Sequence, residues 1–194
     1  LGQQNQRVAG DTIAPELALS AQGKRVVVVG GGDTGADCVG TSNRHGAVSV
    51  VQVEILPKPP AERDPSTPWP QWPYQLRTSS SHDEGCDRRW NVQTKEFVGR
   101  DGKLVGLKCI EVEWKKDASG RLSPDDRRGT EFELPADLVL LAMGFTKEGN
   151  ATTLKTFGIP TSPASEPILD ANGMAQVPGL FVAGDFARGA SLVV

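Results

Sequence analysis

Hydrophobic and polar positions follow different rhythms along this chain, and each change of rhythm marks an element. Val26-Val27-Val28-Val29 is an unbroken β-branched run between Gly23 and Gly30, the pattern of a strand buried on both faces of a parallel sheet. Beyond the glycines, Ala36, Cys38 and Val39 lead into a helix that ends around His45-Gly46, where a glycine supplies the stop. Val48 to Ile55 predicts the next strand. Strand, glycine turn, helix and strand in about 30 residues make a βαβ unit. Further on, Val92 to Gly99, Leu104 to Trp114 and Thr130 to Leu134 alternate apolar with polar residues. Asp101-Gly102, Ala118-Ser119-Gly120 and Arg128-Gly129 separate them, which predicts a β-meander. Asp137 to Gly144 returns to the fully apolar type, as a strand rejoining the parallel sheet. Leu180-Phe181-Val182-Ala183 predicts a last strand, followed by Gly184-Asp185. At the start, Leu1 to Gln22 reads as a lead-in, with Ile13, Leu17 and Leu19 loosely helical after Pro15. The fold class expected is α/β, a Rossmann-like dinucleotide-binding domain with a parallel sheet and a meander.

Residues 57 to 89 interrupt this order with Pro57, Pro59, Pro60, Pro65, Pro68, Pro70 and Pro73, and with Trp69, Trp72 and Tyr74 among them. A connection this long inside a domain is more often functional than spare. Composition alone also fits an exposed polyproline ligand, but paired tryptophans tend to fold back, so a packed loop is expected.

Composition narrows the functional classes. The 194 residues are 38% hydrophobic and 23% charged, with a formal net charge of −3; this gives no electrostatic reason to expect nucleic acid or anionic lipid. No apolar stretch approaches the roughly 20 residues of a membrane span, and Leu1-Gly2-Gln3-Gln4-Asn5 lacks signal-peptide order. A cytoplasmic protein with no nucleic-acid or membrane partner is expected. Cys38, Cys86 and Cys109 never form a C-x-x-C pair and read as reduced thiols, Cys38 and Cys109 as small core residues and Cys86 in a polar loop.

The chemistry concentrates in Gly30-Gly31-Gly32-Asp33-Thr34-Gly35, which has the strand before it and the helix after it that a phosphate-cradling turn needs. Gly30 permits the tight bend, Gly32 lets the backbone approach a pyrophosphate, and Gly35 lets helix and strand pack closely. The anion then meets free N–H groups at the positive end of the helix dipole. Glu54, nineteen positions beyond Gly35, stands near where an acid binds the adenosine ribose. A carboxylate there bonds the 2′-hydroxyl of NADH and repels the 2′-phosphate of NADPH; the alternative is that Glu54 only points to solvent. Lys58 and Arg63 lie in the next loop, within reach of a phosphate. Gly184-Asp185 with a helix start near Arg188 to Ser191 suggests a second cofactor, or else an ordinary capping acid.

Other constellations are weak. Neither His45 nor His82 has zinc-ligand company at suitable spacing, so no metal site is expected. Ser79-Ser80-Ser81-His82-Asp83-Glu84 invites a hydrolase reading, but neighbours on one loop rarely converge into a triad, and no G-x-S-x-G elbow exists.

In order, the segments 23–42, Glu54-Ile-Leu-Pro-Lys-Pro-Pro60, Pro68-Trp-Pro-Gln-Trp-Pro73, Ala136 to Phe145 and Ala183 to Val194 closely resemble the small (beta) subunit of glutamate synthase. The resemblance implies a flavoprotein with two dinucleotide-binding sites that takes a hydride from NADH or NADPH onto FAD. Electrons then pass through iron–sulfur clusters to a large (alpha) subunit that makes glutamate from glutamine and 2-oxoglutarate. It implies a nicotinamide domain at 23–144, inserted between a lead-in at 1–22 and a returning partial FAD domain at 145–194. Met143 and Gly144 would form the crossover. Gly184 and Asp185 would contact the flavin's ribityl and phosphate side, and a helix begun at Ser191 and Leu192 would point toward the ring. Some relatives carry an Arg-Arg pair where Ile55-Leu56 stand here, which moves the expectation toward NADH. The cysteine-rich cluster region and the first FAD glycine motif are expected upstream of Leu1, so the chain reads as an excised domain that holds FAD poorly and is inactive alone. No catalytic side chain is expected, because hydride transfer between stacked rings needs only position and electrostatics. The rivals are a non-enzymatic redox-sensing dinucleotide module and a related flavin-linked reductase of the pyrimidine-reducing or ferredoxin-linked kind; the proline–tryptophan block argues against the latter.

Overall fold

The computed structural model describes residues 1–71, 73–116, 122–144, 148–162 and 166–188. A short helix α1 (Gly2–Val8) and a 3-10 turn (Pro15–Leu17) lead to β1 (Arg25–Val29), α2 (Asp33–Arg44) and β2 (Ser49–Val53). After the proline-rich loop come α3 (Ser80–Asp83) and β3 (Asp87–Arg89), then β4 (Val92–Arg100), β5 (Lys103–Lys116), β6 (Leu122–Asp126), β7 (Phe132–Pro135) and β8 (Leu138–Leu141). Helices α4 (Glu148–Thr156) and α5 (Asp185–Arg188) follow.

The first sheet is parallel throughout, in the order β3-β2-β1-β8. The valine run explains its centre. Val26 and Val28 face α2 together with Cys38, Val39 and Val50, while Val27 faces the meander together with Val53, Leu107, Cys109 and Leu134. Successive strand residues point to opposite faces, so a strand covered on both sides has to be apolar at every position. Full burial of each such valine is worth about 1.5–3 kcal/mol. The expected return of the chain to this sheet is β8, which pairs with β1 from Val26↔Leu138 to Val29↔Leu141. Its start is tied down by the Asp137 carboxylate, which accepts from the Arg25 backbone N–H and from two guanidinium nitrogens at 2.6–2.9 Å.

Helix α2 stops as anticipated. Gly46 adopts φ +81°, its N–H bonds Asn43 O, and the Ala47 N–H bonds Ser42 O, the double closure of a Schellman end. The hairpin between β4 and β5 turns on Asp101 (φ +50°) and Gly102 (φ +72°), the two left-handed residues a two-residue turn demands.

Several elements differ from expectation. The lead-in forms α1 in its polar part, while Leu17, at the end of the single 3-10 turn, and Leu19, beyond it, stay exposed. The Gln3 side chain holds this segment by donating to Leu17 O and accepting from Leu19 N–H, bonds that compete with a helical ladder. Two strands were not anticipated: β3, polar and at the sheet edge, and β6, exposed at every position. Both form by backbone pairing rather than by burial. The proline-rich loop is closed by backbone bonds, Asp64 N–H to Tyr74 O and Leu76 N–H to Pro60 O, yet Trp69 is 83% exposed. The inward folding expected of it does not occur: the closure is made by backbone groups, so no second layer covers the indole. Trp72 lies outside the described residues.

The chain divides into two compact units, residues 1–143 and 144–194. In the second, Leu154 and Ile159 pack with Ala175, Leu180 and Val182. Among its described residues the expected strand at 180–183 is reduced to a single bridge, Met174↔Phe181, entered through a turn at Pro178-Gly179 in which the Leu180 N–H bonds Val177 O.

Candidate functional site

The glycine turn sits where β1 ends and α2 begins, and three of its four glycines have a packing reason to lack a side chain. Gly30 has φ +124°, and a Cβ there would lie 2.2 Å from Ala142 O at the end of β8. At Gly31 a Cβ would meet the Glu54 carboxylate at 2.7 Å; at Gly35 it would meet Gly30 O at 2.2 Å and the Gln52 amide nitrogen at 2.7 Å. Gly32 differs from the other three. Nothing lies within 4 Å of its Cβ position, so the space beside it is open. As the N-cap of α2 it makes no side-chain capping bond, which leaves the first N–H groups of the helix to face that space. Asp33 and Thr34 open the helix and are exposed. An open approach beside uncapped amides is the donor set that a pyrophosphate fits.

Glu54 is neither idle nor solvent-directed. One carboxylate oxygen accepts the Gly31 N–H at 2.6 Å and the other the Leu56 N–H at 3.0 Å. A carboxylate has about four acceptor positions, so each oxygen keeps capacity for a further donor such as a hydroxyl. Lys58, which with Arg63 was expected within reach of a phosphate, stands with Arg88 against the Trp90 ring, 5.1 and 5.0 Å from its centroid.

Beneath the turn lies a group that the sequence pattern did not mark as functional. Gln52 is the polar exception in Val50-Val51-Gln52-Val53 and is 2% exposed. Its amide donates to Gly30 O at 2.9 Å, and its oxygen lies 3.0 Å from His82 Nε2. A glutamine at a strand position facing a helix was the available signal. His82 Nδ1 accepts the Ser79 N–H at 3.1 Å, so Nε2 carries the proton and donates to Gln52. Burial, reinforced by Arg88, lowers the His82 pKa, and Asp83 opposes this. Ser79 Oγ also lies 3.1 Å from Nδ1, but the far ring nitrogen meets an amide rather than a carboxylate, so the serine–histidine run builds no triad.

Met143, 67% exposed, and Gly144, at φ +84°, follow the end of β8. Gly184, at φ +62°, precedes Asp185, the first residue of the short helix α5; the expected helix start at Arg188 to Ser191 runs outside the described residues after Arg188. Ser191 and Leu192 lie outside the described residues. Among the described residues no group of three or more potential metal ligands occurs, and no helix is long and apolar enough to cross a membrane. Cys38 and Cys109 are buried and Cys86 is half-buried, all as free thiols; burial raises the pKa of each.

The family model for pyridine nucleotide-disulphide oxidoreductases matches residues 2–194. The chain belongs to that family. Within it, the similarity expected from the motifs is found. A glutamate synthase [NADPH] small chain of Mycobacterium tuberculosis is 45% identical over 91% of this chain and 35% of its own length. A glutamate synthase [NADH] of Schizosaccharomyces pombe is 44% identical over 91% of this chain and 9% of its own length. The chain therefore spans about a third of the small-chain relative. The same fold occurs in FprA of Mycobacterium tuberculosis in complex with NADPH, with TM-score 0.60, 20% identity, and coverage of 90% of this chain and 49% of that one. This pyridine nucleotide-disulphide oxidoreductase chain thus has the parallel sheet, glycine turn and meander of a Rossmann-like domain.

Proposed function

We propose that this chain is the nicotinamide-dinucleotide-binding, electron-input part of a glutamate synthase, with FAD as the acceptor and a large subunit as the partner that makes glutamate. The observation that carries the reading is the open, uncapped start of α2 at Gly32; the 45% identity to a glutamate synthase small chain supports it. When bound, the nicotinamide supplies a hydride and FAD takes it up. The protein's part is placement. The N–H groups following Gly32 hold the pyrophosphate, and the spare acceptor capacity of Glu54 takes the ribose hydroxyls. Met143, Gly144, Gly184 and Asp185 lie on the segments assigned to the crossover and the flavin side, and no side chain transfers a proton. A carboxylate at Glu54 followed by Ile55-Leu56 favours NADH over NADPH, because a 2′-phosphate would meet a like charge with no guanidinium fork beside it.

The test is hydride transfer from NADH to an artificial acceptor by the intact protein supplied with FAD. Turnover with NADH in excess of that with NADPH is expected. Tight NADH binding without transfer would replace the enzyme reading with a redox-sensing module, and absence of binding would remove the site.

A further inference from the structure

We propose that Gln52 and His82 are positioning residues that fix the first peptide of the dinucleotide turn, with His82 acting through the orientation it imposes on the Gln52 amide. The inference rests on the dinucleotide-binding reading above. Gln52 and Glu54 are two apart on one strand and its extension, so both project toward the same side of the sheet. They grip the two ends of one peptide group. Gln52 donates to its oxygen, Gly30 O, at 2.9 Å, and Glu54 accepts from its nitrogen, Gly31 N–H, at 2.6 Å. That peptide has to be held in one plane for the amides that follow, at Gly32 and Asp33, to point outward together.

A glutamine can present either end of its amide, and only one end works here. Nitrogen toward Gly30 O is attractive; oxygen toward it sets two acceptors against each other. Nothing in Gln52 itself makes this choice. His82 does, because its Nδ1 accepts the Ser79 N–H, which leaves Nε2–H as a donor that the Gln52 oxygen has to face at 3.0 Å. Space is arranged to match, since a Cβ on Gly35 would strike the Gln52 nitrogen at 2.7 Å. The segment that carries His82 is docked on α2 as well: Asn43 donates to Gly85 O at 2.8 Å, Arg44 pairs with Glu84, and Ser81 packs where a Cβ on Gly40 would lie. The exit of the proline-rich loop is thereby coupled to the cofactor turn.

Two substitutions separate positioning from plain structural support, because glutamine and asparagine reproduce different nitrogens of the ring. His82→Gln keeps a donor at the Nε2 position and loses the acceptor for Ser79; His82→Asn keeps that acceptor and loses the donor to Gln52. Affinity for NADH is measured by calorimetry on the intact protein, and stability by urea denaturation. The expected result is that His82→Asn weakens NADH binding about five-fold or more, the worth of one hydrogen bond, while His82→Gln stays within about two-fold of the parent. The order of stabilities should not follow the order of affinities. Gln52→Leu should weaken binding at least as much as His82→Asn. Unchanged affinity in His82→Asn, or affinity losses that track the loss of stability across both histidine variants, would overturn the proposal. Failure of the parent protein to bind NADH would instead overturn the dinucleotide reading itself.

Discussion

Replacing Gly32 with valine should remove dinucleotide binding while leaving the fold in place, and the structure sets both halves of that expectation. The backbone at Gly32 has φ −80° and ψ −173°, an extended conformation that valine readily adopts, and no atom lies within 4 Å of the new Cβ. Two small terms then act on stability. Valine is a poorer N-cap than glycine, costing up to about 1 kcal/mol, and the loss of glycine's freedom in the unfolded chain offsets about 0.4–1 kcal/mol. The net change should fall within about 1 kcal/mol. Binding is different, because the isopropyl group fills the approach to the uncapped amides. Two N–H bonds to a charged oxygen are then lost, each worth about 1.5–3 kcal/mol, so the affinity should fall by roughly 10²- to 10⁴-fold. Calorimetry with NADH reads the affinity, and a urea titration of the same sample reads the fold. A dissociation constant within about three-fold of the parent, with the urea midpoint preserved, would show that the phosphates do not sit at Gly32, and the site assignment would fall.

Gly35→Ala should cost stability as well as binding: its Cβ would lie 2.2 Å from Gly30 O and 2.7 Å from the Gln52 nitrogen, and overpacking of this kind costs about 1–3 kcal/mol, more than the roughly 1 kcal/mol that alanine gains in a helix. Gly40→Ala, whose nearest neighbours are the side-chain atoms Ser81 Oγ at 2.6 Å and Arg44 Nη2 at 2.9 Å, should cost less in the same urea assay; equal losses at the two sites would contradict the packing argument. Glu54→Ala should weaken NADH by roughly ten-fold or more, the worth of charged hydrogen bonds to hydroxyls, and weaken NADPH less. Tighter binding of NADPH than NADH by the parent protein would remove the ribose argument. Burial lowers the pKa of both histidines, helped by Arg7 and Arg44 at His45 and by Arg88 at His82. The unfolded chain therefore takes up protons first, and this contribution to stability is complete above pH 6.5 and declines as pH falls through the lowered folded values. Urea midpoints measured from pH 7.5 down to 5 should decrease; a flat profile would refute the assignment.

How much of this was legible in advance differs between the scaffold and the contacts made on it. The β1 run, the glycine turn, the end of α2 at Gly46 and the Asp101-Gly102 hairpin are all written locally. Each depends on the conformations available to a few consecutive residues, or on a strand needing apolar residues on both faces, and both are properties of short stretches. The chain by itself therefore determined the βαβ unit, the meander and the glycine turn between β1 and α2.

Tertiary structure decided the rest. Nothing near Gly30 in sequence predicts that Gln52 reaches its carbonyl across 22 positions, or that His82 orients Gln52 across another 30. Glu54 was readable as an acid just beyond β2 but not as the acceptor of the Gly31 N–H, and a Cβ on Gly31 would press on that carboxylate at 2.7 Å. The same holds for β3, whose polar residues join the parallel sheet through backbone bonds alone, and for Trp69, left exposed by a loop that closes on its own backbone. Hydrophobic period is a local signal. A hydrogen-bond partner is known only once the loop between the two groups has closed.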